Sequence, residues 1–352
     1  MVMDTCPEPT PRYSVIVPVH NSARTIEPCL EALLDQSLPK ETYEILIVDD
    51  GSTDNTAELV ERYPVRLLKQ AHAGPASARN LGATAALGEF LIFTDADCLP
   101  IRIWLEEIVR PLEKDGQVAG AQGSYQTEQT NLIARFTQVE LEVKYAALRR
   151  KAYIDFLDTA SAALRREAFW EEGGFDPSFS EASNEDTQLS FSLASKGRRL
   201  VFAEKAVVYH RHPESLRRYL SRKWRHGFWR TRVYRQHPEK MTGDSYTPRS
   251  TQVQLLAAAL TLVLVLVPDL QWLSLAAAFL FLLATLPFVR QALPAGLGIV
   301  VVTPPILFLR ALALGTGLVV GALTLPFATH TGPGAQSEQD PAATGNHEIH
   351  KD

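Results

Sequence analysis

Two aspartates one residue apart, Asp95 and Asp97, close an apolar run in Phe93-Thr94-Asp95-Ala96-Asp97-Cys98. Where a strand ends and the chain turns, both carboxylates can point into one cleft. Hard oxygen donors of this type suit Mg²⁺ or Mn²⁺. Such an ion grips the oxygens of a pyrophosphate and neutralises charge developing on them. The pair alone is weak ground, because solvated turns carry the same pattern. Two further apolar runs end in comparable chemistry, Pro18-Val19-His20-Asn21 and Asp49-Asp50-Gly51-Ser52. In open sheets of parallel strands, ligands bind beyond the carboxyl ends of the strands, among loops and helix N-termini. No GxGxxG follows the first run, which disfavours a dinucleotide.

The elements that must position these acids follow from hydrophobic patterning. Residues 13–19 (YSVIVPV) are a short β-branched run and read as a buried strand. Ser22 is placed to cap a helix with apolar positions at Ile26, Leu30, Leu33 and Leu34. Strands are predicted at 43–48, 65–68 and 89–93. Helices are predicted between them, one from Asp54 to Arg62 with Asp54 as its cap, the other over 75–87. This alternation indicates a parallel sheet with helices on both faces. Beyond Pro100 the pattern predicts helices at 101–112 and 131–150, and strands at 118–122 and 158–164. A turn follows at Gly173-Gly174-Phe175-Asp176-Pro177, then a helix opened by Asn184 and running to 195. Edge strands are expected over 200–208.

Charge is unevenly spread. From Ser250 to Ser337 the charged residues, His330 aside, are Asp269, Arg290 and Arg310. Residues 253–267 and 270–289 approach the length that crosses ~30 Å of hydrocarbon. Residues 291–309, with Pro294, Gly296, Gly298, Pro304 and Pro305, make a poorer span, and 311–327 is apolar again. Three or four crossings result. The bias of Lys and Arg toward the inside puts Arg249 and Arg290 on the cytoplasmic face, and Arg310 too if there are three. A net charge of −5 argues against general nucleic-acid binding. Against it, residues 211–235 hold nine Lys or Arg and the single acid Glu214, interleaved with Tyr219, Trp224, Phe228, Trp229 and Tyr234. That mixture suits a helix lying on an anionic membrane surface. Cys6, Cys29 and Cys98 are odd in number and form no CxxC, which fits reduced thiols. The N-terminus has no signal-peptide core.

Taken in order, SVIVPVHN, VDDGSTDNT, GPASARNLG, FTDADC, GGFDPSF and NEDTQLSFSLASKG closely resemble the family 2 glycosyltransferases of GT-A fold, over residues 13–212. The resemblance implies a Rossmann-like mixed sheet with helices on both faces, followed here by C-terminal transmembrane helices. It implies a nucleotide-sugar donor, UDP-linked or GDP-linked, with Mg²⁺ or Mn²⁺. By position, Pro18 and Asp50 resemble base contacts, with Asp49 as support or as a turn cap. Arg79 would reach the nucleotide and order the acidic strand end. Asp95 would touch ribose or metal, and Asp97 the metal and diphosphate. His210 matches a further metal ligand, with His212 as competitor. Asp186 is the preferred general base for an inverting transfer, and Glu185 the reserve. Cys98 reads as a small buried residue. The processive members carry Gln-x-x-Arg-Trp; none occurs here, which favours a single addition.

The expected organisation is a flexible N-terminus (1–12), a GT-A domain (13–212), a basic interfacial helix and linker (213–249), a membrane domain of about three spans (250–328) and a disordered tail (329–352). The expected acceptor is a lipid or lipid-linked glycan reached at the cytoplasmic face of the cell membrane, in a multi-pass protein with a cytoplasmic catalytic domain. Two readings from other classes compete. A sugar-1-phosphate nucleotidyltransferase would use a similar sheet, but its basic glycine-rich signature is missing. A catalytically inactive membrane scaffold is disfavoured because the expected acids are all present.

Overall fold

The computed structural model describes residues 10–179, 184–245 and 247–325. Residues 1–9 of the expected N-terminal segment, the expected tail (329–352) and residues 180–183 lie outside the described residues. The chain runs β1 (Tyr13–Val19), α1 (Ile26–Leu34), β2 (Tyr43–Asp50), α2 (Thr56–Val60), β3 (Arg66–Gln70), α3 (Pro75–Ala85), β4 (Phe90–Thr94), β5 (Cys98–Pro100) and α4 (Trp104–Lys114). It continues through β6 (Val118–Gln126), α5 (Leu132–Leu148), β7 (Ser161–Arg165), α6 (Arg166–Glu171), α7 (Glu185–Ser195) and β8 (Arg199–His210). The remaining helices are α8 (Leu216–Gln236), α9 (Arg249–Val265), α10 (Gln271–Ala292) and α11 (Leu297–Thr324).

Eight strands form one mixed sheet in the order β3-β2-β1-β4-β7-β6-β8-β5. The parallel prediction holds for β1 to β4. Beyond them the sheet is mixed, as the resemblance implied: β7 runs antiparallel to both β4 and β6 and β5 antiparallel to β8, while β6 and β8 are parallel. Residues 199–210 are not an edge, since β8 lies between β6 and the three-residue β5. Short β5 and the six-residue α6 carry too few residues for a periodic signal, and neither was anticipated.

Alternate residues of β1 enter opposite cores, as a strand covered on both faces requires. Val15 and Val17 pack with Leu30 of α1 and Trp104 of α4. Ile16 packs with Ala78 of α3 and Phe169 of α6. Gly82 sets the α3 approach, for a Cβ there would lie 2.5 Å from Ile16 Cγ2. Ser22 does not cap α1 through its side chain. Its carbonyl accepts from the Thr25 and Ile26 amides instead, and the helix starts later than expected.

The C-terminal helices depart from the expected division. Residues 291–309 and 311–327 are not separate segments, because α11 is one helix through Pro304 and Pro305. Ile299, Ile306, Leu307 and Ala311 are buried against neighbouring elements on both sides of that pair, and packing of this kind holds an apolar helix together across missing amide donors. Two stretches, Pro268–Ala295 and Leu297–Thr324, are each 28 residues long, and in each an 18-residue window has mean hydropathy 2.1. They are long and apolar enough to cross a membrane, which takes ~20 residues. Helix α9, at 17 residues, is shorter. It pairs with α10, where Gln254 donates to the Ala284 carbonyl at 2.7 Å.

Arg310 is not a flanking charge. It sits mid-helix, 3% exposed, and its guanidinium Nη1 donates to Glu140 Oε1 at 2.6 Å. Nor is α8 an ordinary solvated basic helix. Gly227 packs so closely on α11 that a Cβ would lie 2.3 Å from the Leu314 carbonyl oxygen. Gly317 and Gly321 make the reciprocal approach to the backbone of Trp224 and Phe228. Small residues at such positions let helix backbones meet.

Candidate active site

Strand β2 runs on through both aspartates, and successive side chains point to opposite faces. Asp49 turns away from the cleft, where its Oδ1 accepts from the Ser52 amide at 2.9 Å. It is a turn cap. Asp50 faces the cleft and is buried. Its Oδ1 accepts from Gln70 Nε2 at 2.6 Å and the Ala73 amide at 2.8 Å; its Oδ2 accepts from the Gly74 amide at 2.9 Å. His72 Nδ1 lies 2.9 Å from Oδ2. Burial opposes ionisation, but the donors from Gln70, Ala73 and Gly74 outweigh it and hold the Asp50 carboxyl below its ordinary value. Gly51 is required next to it, at φ +71°, where a Cβ would meet the His72 amide at 2.8 Å. The rings of His20 and His72 are 4.3 Å apart between centroids. His20, Asp50 and His72 are close enough to surround an ion, yet Gln70, Ala73 and Gly74 already occupy three of the roughly four acceptor sites of that carboxylate.

Pro18, His20, Asp50, His72, Arg79, Asp95 and Asp97 border one cleft of about 860 Å³. Across its floor runs a buried bridge. Arg79 of α3 is 2% exposed. Its Nη2 donates to Asp95 Oδ1 at 2.8 Å and its Nη1 to Glu185 Oε1 at 2.9 Å. The two carboxylates outweigh the cost of burying the guanidinium and raise its pKa. Arg79 therefore ties the acidic strand end to the first turn of α7.

Asp97 and His210 meet at the other side of the cleft, with His210 Nε2 3.8 Å from Asp97 Oδ1. Burial raises the Asp97 pKa, and Asp95 adds to this while His210 opposes it. A carboxylate that burial and a like charge both disfavour is one that a divalent cation would relieve, so Asp97 and His210 fit a metal. The third predicted ligand, Asp95, is hydrogen-bonded to Arg79 at the same strand end. Cys98 lies against Asp97 and His210, but burial, with Asp95 and Asp97 nearby, pushes its thiol well above the ordinary value. It remains a small buried thiol. His212, its competitor, is 5% exposed, with Nε2 3.0 Å from Gln138 Oε1 and Nδ1 3.5 Å from His210 Nδ1. Burial, then His210, lowers its pKa to about 3.

Asn184 holds a left-handed backbone at φ 72° and turns the chain into α7, placing Glu185 and Asp186 in its first turn. Glu185 is 2% exposed and committed to Arg79. Asp186 is partly buried, and its Oδ1 accepts from the Thr187 amide at 2.6 Å. Burial, then repulsion from Glu185 and Asp158, pushes its carboxyl well above the ordinary value. Asp50 and Asp97 border the cleft directly. Asp186 does not border it among the described residues; it connects through Glu185 and Arg79. Sequence reasoning missed Asp158, His72 and Glu140. Asp158 carried a visible signal, an acid opening the strand predicted at 158–164. Glu140 carried none, for its partner Arg310 is 170 positions away.

Residues 14–173 match the family described as Glycosyl transferase family 2. Glycosyltransferase AglE of Haloferax volcanii is 38% identical over 112 residues, which are 30% of this chain and 37% of that protein. Pre-mycofactocin glycosyltransferase of Mycobacterium tuberculosis is 27% identical over 236 residues, covering 64% of this chain and 48% of that one. The chain thus spans less than half the length of either relative. Among solved structures, the mannosyltransferase PcManGT from Pyrobaculum calidifontis, in complex with GDP-Man and Mn²⁺, superposes with a TM-score of 0.57. At 24% identity, it covers 91% of this chain and is itself 90% covered, a likeness of fold. Asp50, Arg79, Asp95 and Asp97 all lie within the matched segment, so residues 14–173 belong to glycosyl transferase family 2.

Proposed function

We propose that the protein is an inverting glycosyltransferase that moves one sugar from a nucleotide-diphosphate sugar to a lipid or lipid-linked glycan. The observation that carries this reading is the single cleft bordered by Asp50 on one side and Asp97 on the other, with Arg79 between them. The base of the nucleotide would lie against Pro18 and the paired rings of His20 and His72, held in place by Asp50. Asp95 would meet the ribose. Asp97, His210 and Asp95 would hold Mg²⁺ or Mn²⁺. When bound, that ion offsets charge on the departing diphosphate.

In the transfer, the acceptor hydroxyl oxygen forms a bond to the anomeric carbon as the bond from that carbon to the β-phosphate oxygen breaks. The hydroxyl proton goes to Asp186, and the nucleoside diphosphate leaves. A raised pKa suits this duty, because a base works best near the operating pH. Glu185 serves as the anchor of Arg79, which leaves Asp186 as the base. The apolar stretches 268–295 and 297–324 support attachment to a membrane. Arg249 and Arg290 support a cytoplasmic catalytic domain in a multi-pass chain, and α9 would supply a third span if it tilts little. A solved protein of this fold holds both GDP-Man and Mn²⁺, so GDP-linked donors stand beside UDP-linked ones.

The test is release of nucleoside diphosphate from a panel of UDP- and GDP-sugars by detergent-solubilised protein, with Mn²⁺, with Mg²⁺ and with chelator. Metal-dependent release that disappears in Asp97→Ala is the expected result. Release from no donor would overturn the reading, and pyrophosphate release from a nucleoside triphosphate would replace it with nucleotidyl transfer.

A further inference from the structure

The transfer reaction above gives no part to Asp158, an acid that the fold ties to both ends of the chemistry. On one side, β7 pairs antiparallel with β4, and Ser161 lies opposite Thr94. The Thr94 hydroxyl donates to the Ala160 carbonyl at 2.9 Å. Residues entering β7 therefore run alongside those leaving β4, and Asp158 shares the wall of one small chamber with Asp95 and His210. On the other side, the Leu157 amide donates to Ser190 Oγ at 2.9 Å, and the Ser190 hydroxyl donates to the Asp186 carbonyl at 2.6 Å. One side chain thus links the neighbour of Asp158 to the proposed base. The chamber, of about 80 Å³, adjoins the cleft, with which it has Asp95, His212 and Pro213 in common.

The main chain at Asp158 is pinned while its carboxylate is left open. Its amide donates to Gln122 Oε1, and its carbonyl accepts from the Ser161 amide at 3.1 Å and the Tyr125 hydroxyl at 3.3 Å. Its Oδ1 accepts from the Ala160 amide at 3.3 Å. Among the described residues the carboxylate takes no other hydrogen bond and no ion pair. A carboxylate has about four acceptor sites, so most of this one is left for a ligand. A rigid stem with unused acceptors suits the reading of hydroxyl groups. It rejects an analogue that lacks one, because the acceptor is then buried unmatched.

In an inverting transfer the incoming and leaving oxygens approach the anomeric carbon from opposite faces. The sugar ring must therefore lie between the diphosphate end, at Asp95, Asp97 and His210, and the base Asp186. We propose that Asp158 accepts hydrogen bonds from hydroxyls of that ring and so selects the sugar that is moved. The inference rests on the transfer reaction proposed above and adds a requirement on its donor: a sugar with free hydroxyls on the edge turned to Asp158. Asp158 then binds the sugar moiety and plays no part toward the nucleotide.

Calorimetry on the full detergent-solubilised chain with Mn²⁺ tests this with UDP-glucose, UDP-N-acetylglucosamine and GDP-mannose, each beside its own nucleoside diphosphate. For the donor that the unaltered protein binds, Asp158→Ala should weaken the sugar nucleotide about tenfold, the scale of one hydrogen bond to a charged group, and leave the bare nucleotide within about twofold. The unaltered protein should bind at least one ring-deoxy analogue of that donor about tenfold more weakly, and in Asp158→Ala the difference should vanish. Asp158→Asn keeps the shape and one acceptor oxygen and should fall between; if the alanine variant does not fold, it carries the comparison. Equal weakening of nucleotide and sugar nucleotide, or of neither, overturns the proposal. A deoxy penalty that is absent from the parent or persists in the variant does the same. So does intact donor binding with only a moved pH limb of turnover, which would make Asp158 a neighbour acting through Asp186. Donor turnover by the unaltered protein separates the two readings. Turnover with unchanged selectivity in the variants removes the sugar contact alone, whereas release of nucleoside diphosphate from no donor removes both.

Discussion

Arg79 and Glu185, 106 positions apart in sequence, form a buried ion pair at 2.9 Å that ties the third helix to the first turn of the seventh. The same guanidinium holds Asp95 at 2.8 Å. One side chain thus sets the spacing between the donor half of the cleft and the acid pair.

Replacing Arg79 should be severe. Arg79→Ala leaves Glu185 buried without its cation, the situation in which breaking a buried pair costs ~3–5 kcal/mol. Arg79→Lys should recover part of the loss but not the fork that reaches two carboxylates. Thermal unfolding of the two variants beside the parent checks the order; an unchanged melting temperature in Arg79→Ala would refute it.

Asp97→Ala should lower metal-dependent donor turnover by ~10²–10³-fold, the scale of removing one preorganised electrostatic contact. The site lies beside solvent, so stability should move little. Turnover and melting temperature measured on one preparation distinguish a lost ligand from a lost fold.

Asp186 gives a prediction of two opposite signs. Its folded pKa is raised, by burial first and by Glu185 and Asp158 next. The stability tied to its protonated form is complete below the ordinary aspartate value and is lost as pH rises through the folded value. Asp186→Asn should therefore be more stable than the parent at high pH, by ~0.5–2 kcal/mol. The same change removes the proposed base and should slow transfer ~10²–10⁴-fold. Parent activity should rise with pH as Asp186 ionises, and the variant's residual activity should lack that limb. Paired pH series of melting and turnover test both halves.

Much of the donor half was legible because it is local. Strand β1 was predicted at its observed limits, and the acids of β2 and β4 stand at strand ends where short motifs announce them. The acid pair of α7 was less so. Asp186 and Glu185 were named as a pair, but neighbours decide their roles: Arg79, 106 positions away, takes Glu185. The antiparallel β7 and interior β8 depend on pairings that no periodicity encodes. Continuity of α11 through two prolines, against local propensity, is set by burial on other helices. Arg310 read as a flank charge because its partner Glu140 cannot be inferred from any spacing.

The glycine contacts between α8 and α11 give a paired comparison. Gly317→Val would push a side chain into the Trp224 carbonyl oxygen, 2.2 Å from an added Cβ. That overpacking should cost ~1–3 kcal/mol or more. Gly298, in the same helix, meets nothing within 4 Å, so Gly298→Ala should be neutral or stabilise by up to ~1 kcal/mol. Equal effects of the two on unfolding would contradict the packing.

That backbone-to-backbone seam has a practical corollary for anyone wishing to study the sheet domain without the apolar helices. A truncation after Arg249 would not yield a tidy water-soluble half. It would strip away the partner against which Gly227 is fitted, baring a strip of main chain and leaving Trp224 and Phe228 with no cover. It would also orphan Glu140 from Arg310. The packed unit extends in this sense to Thr324.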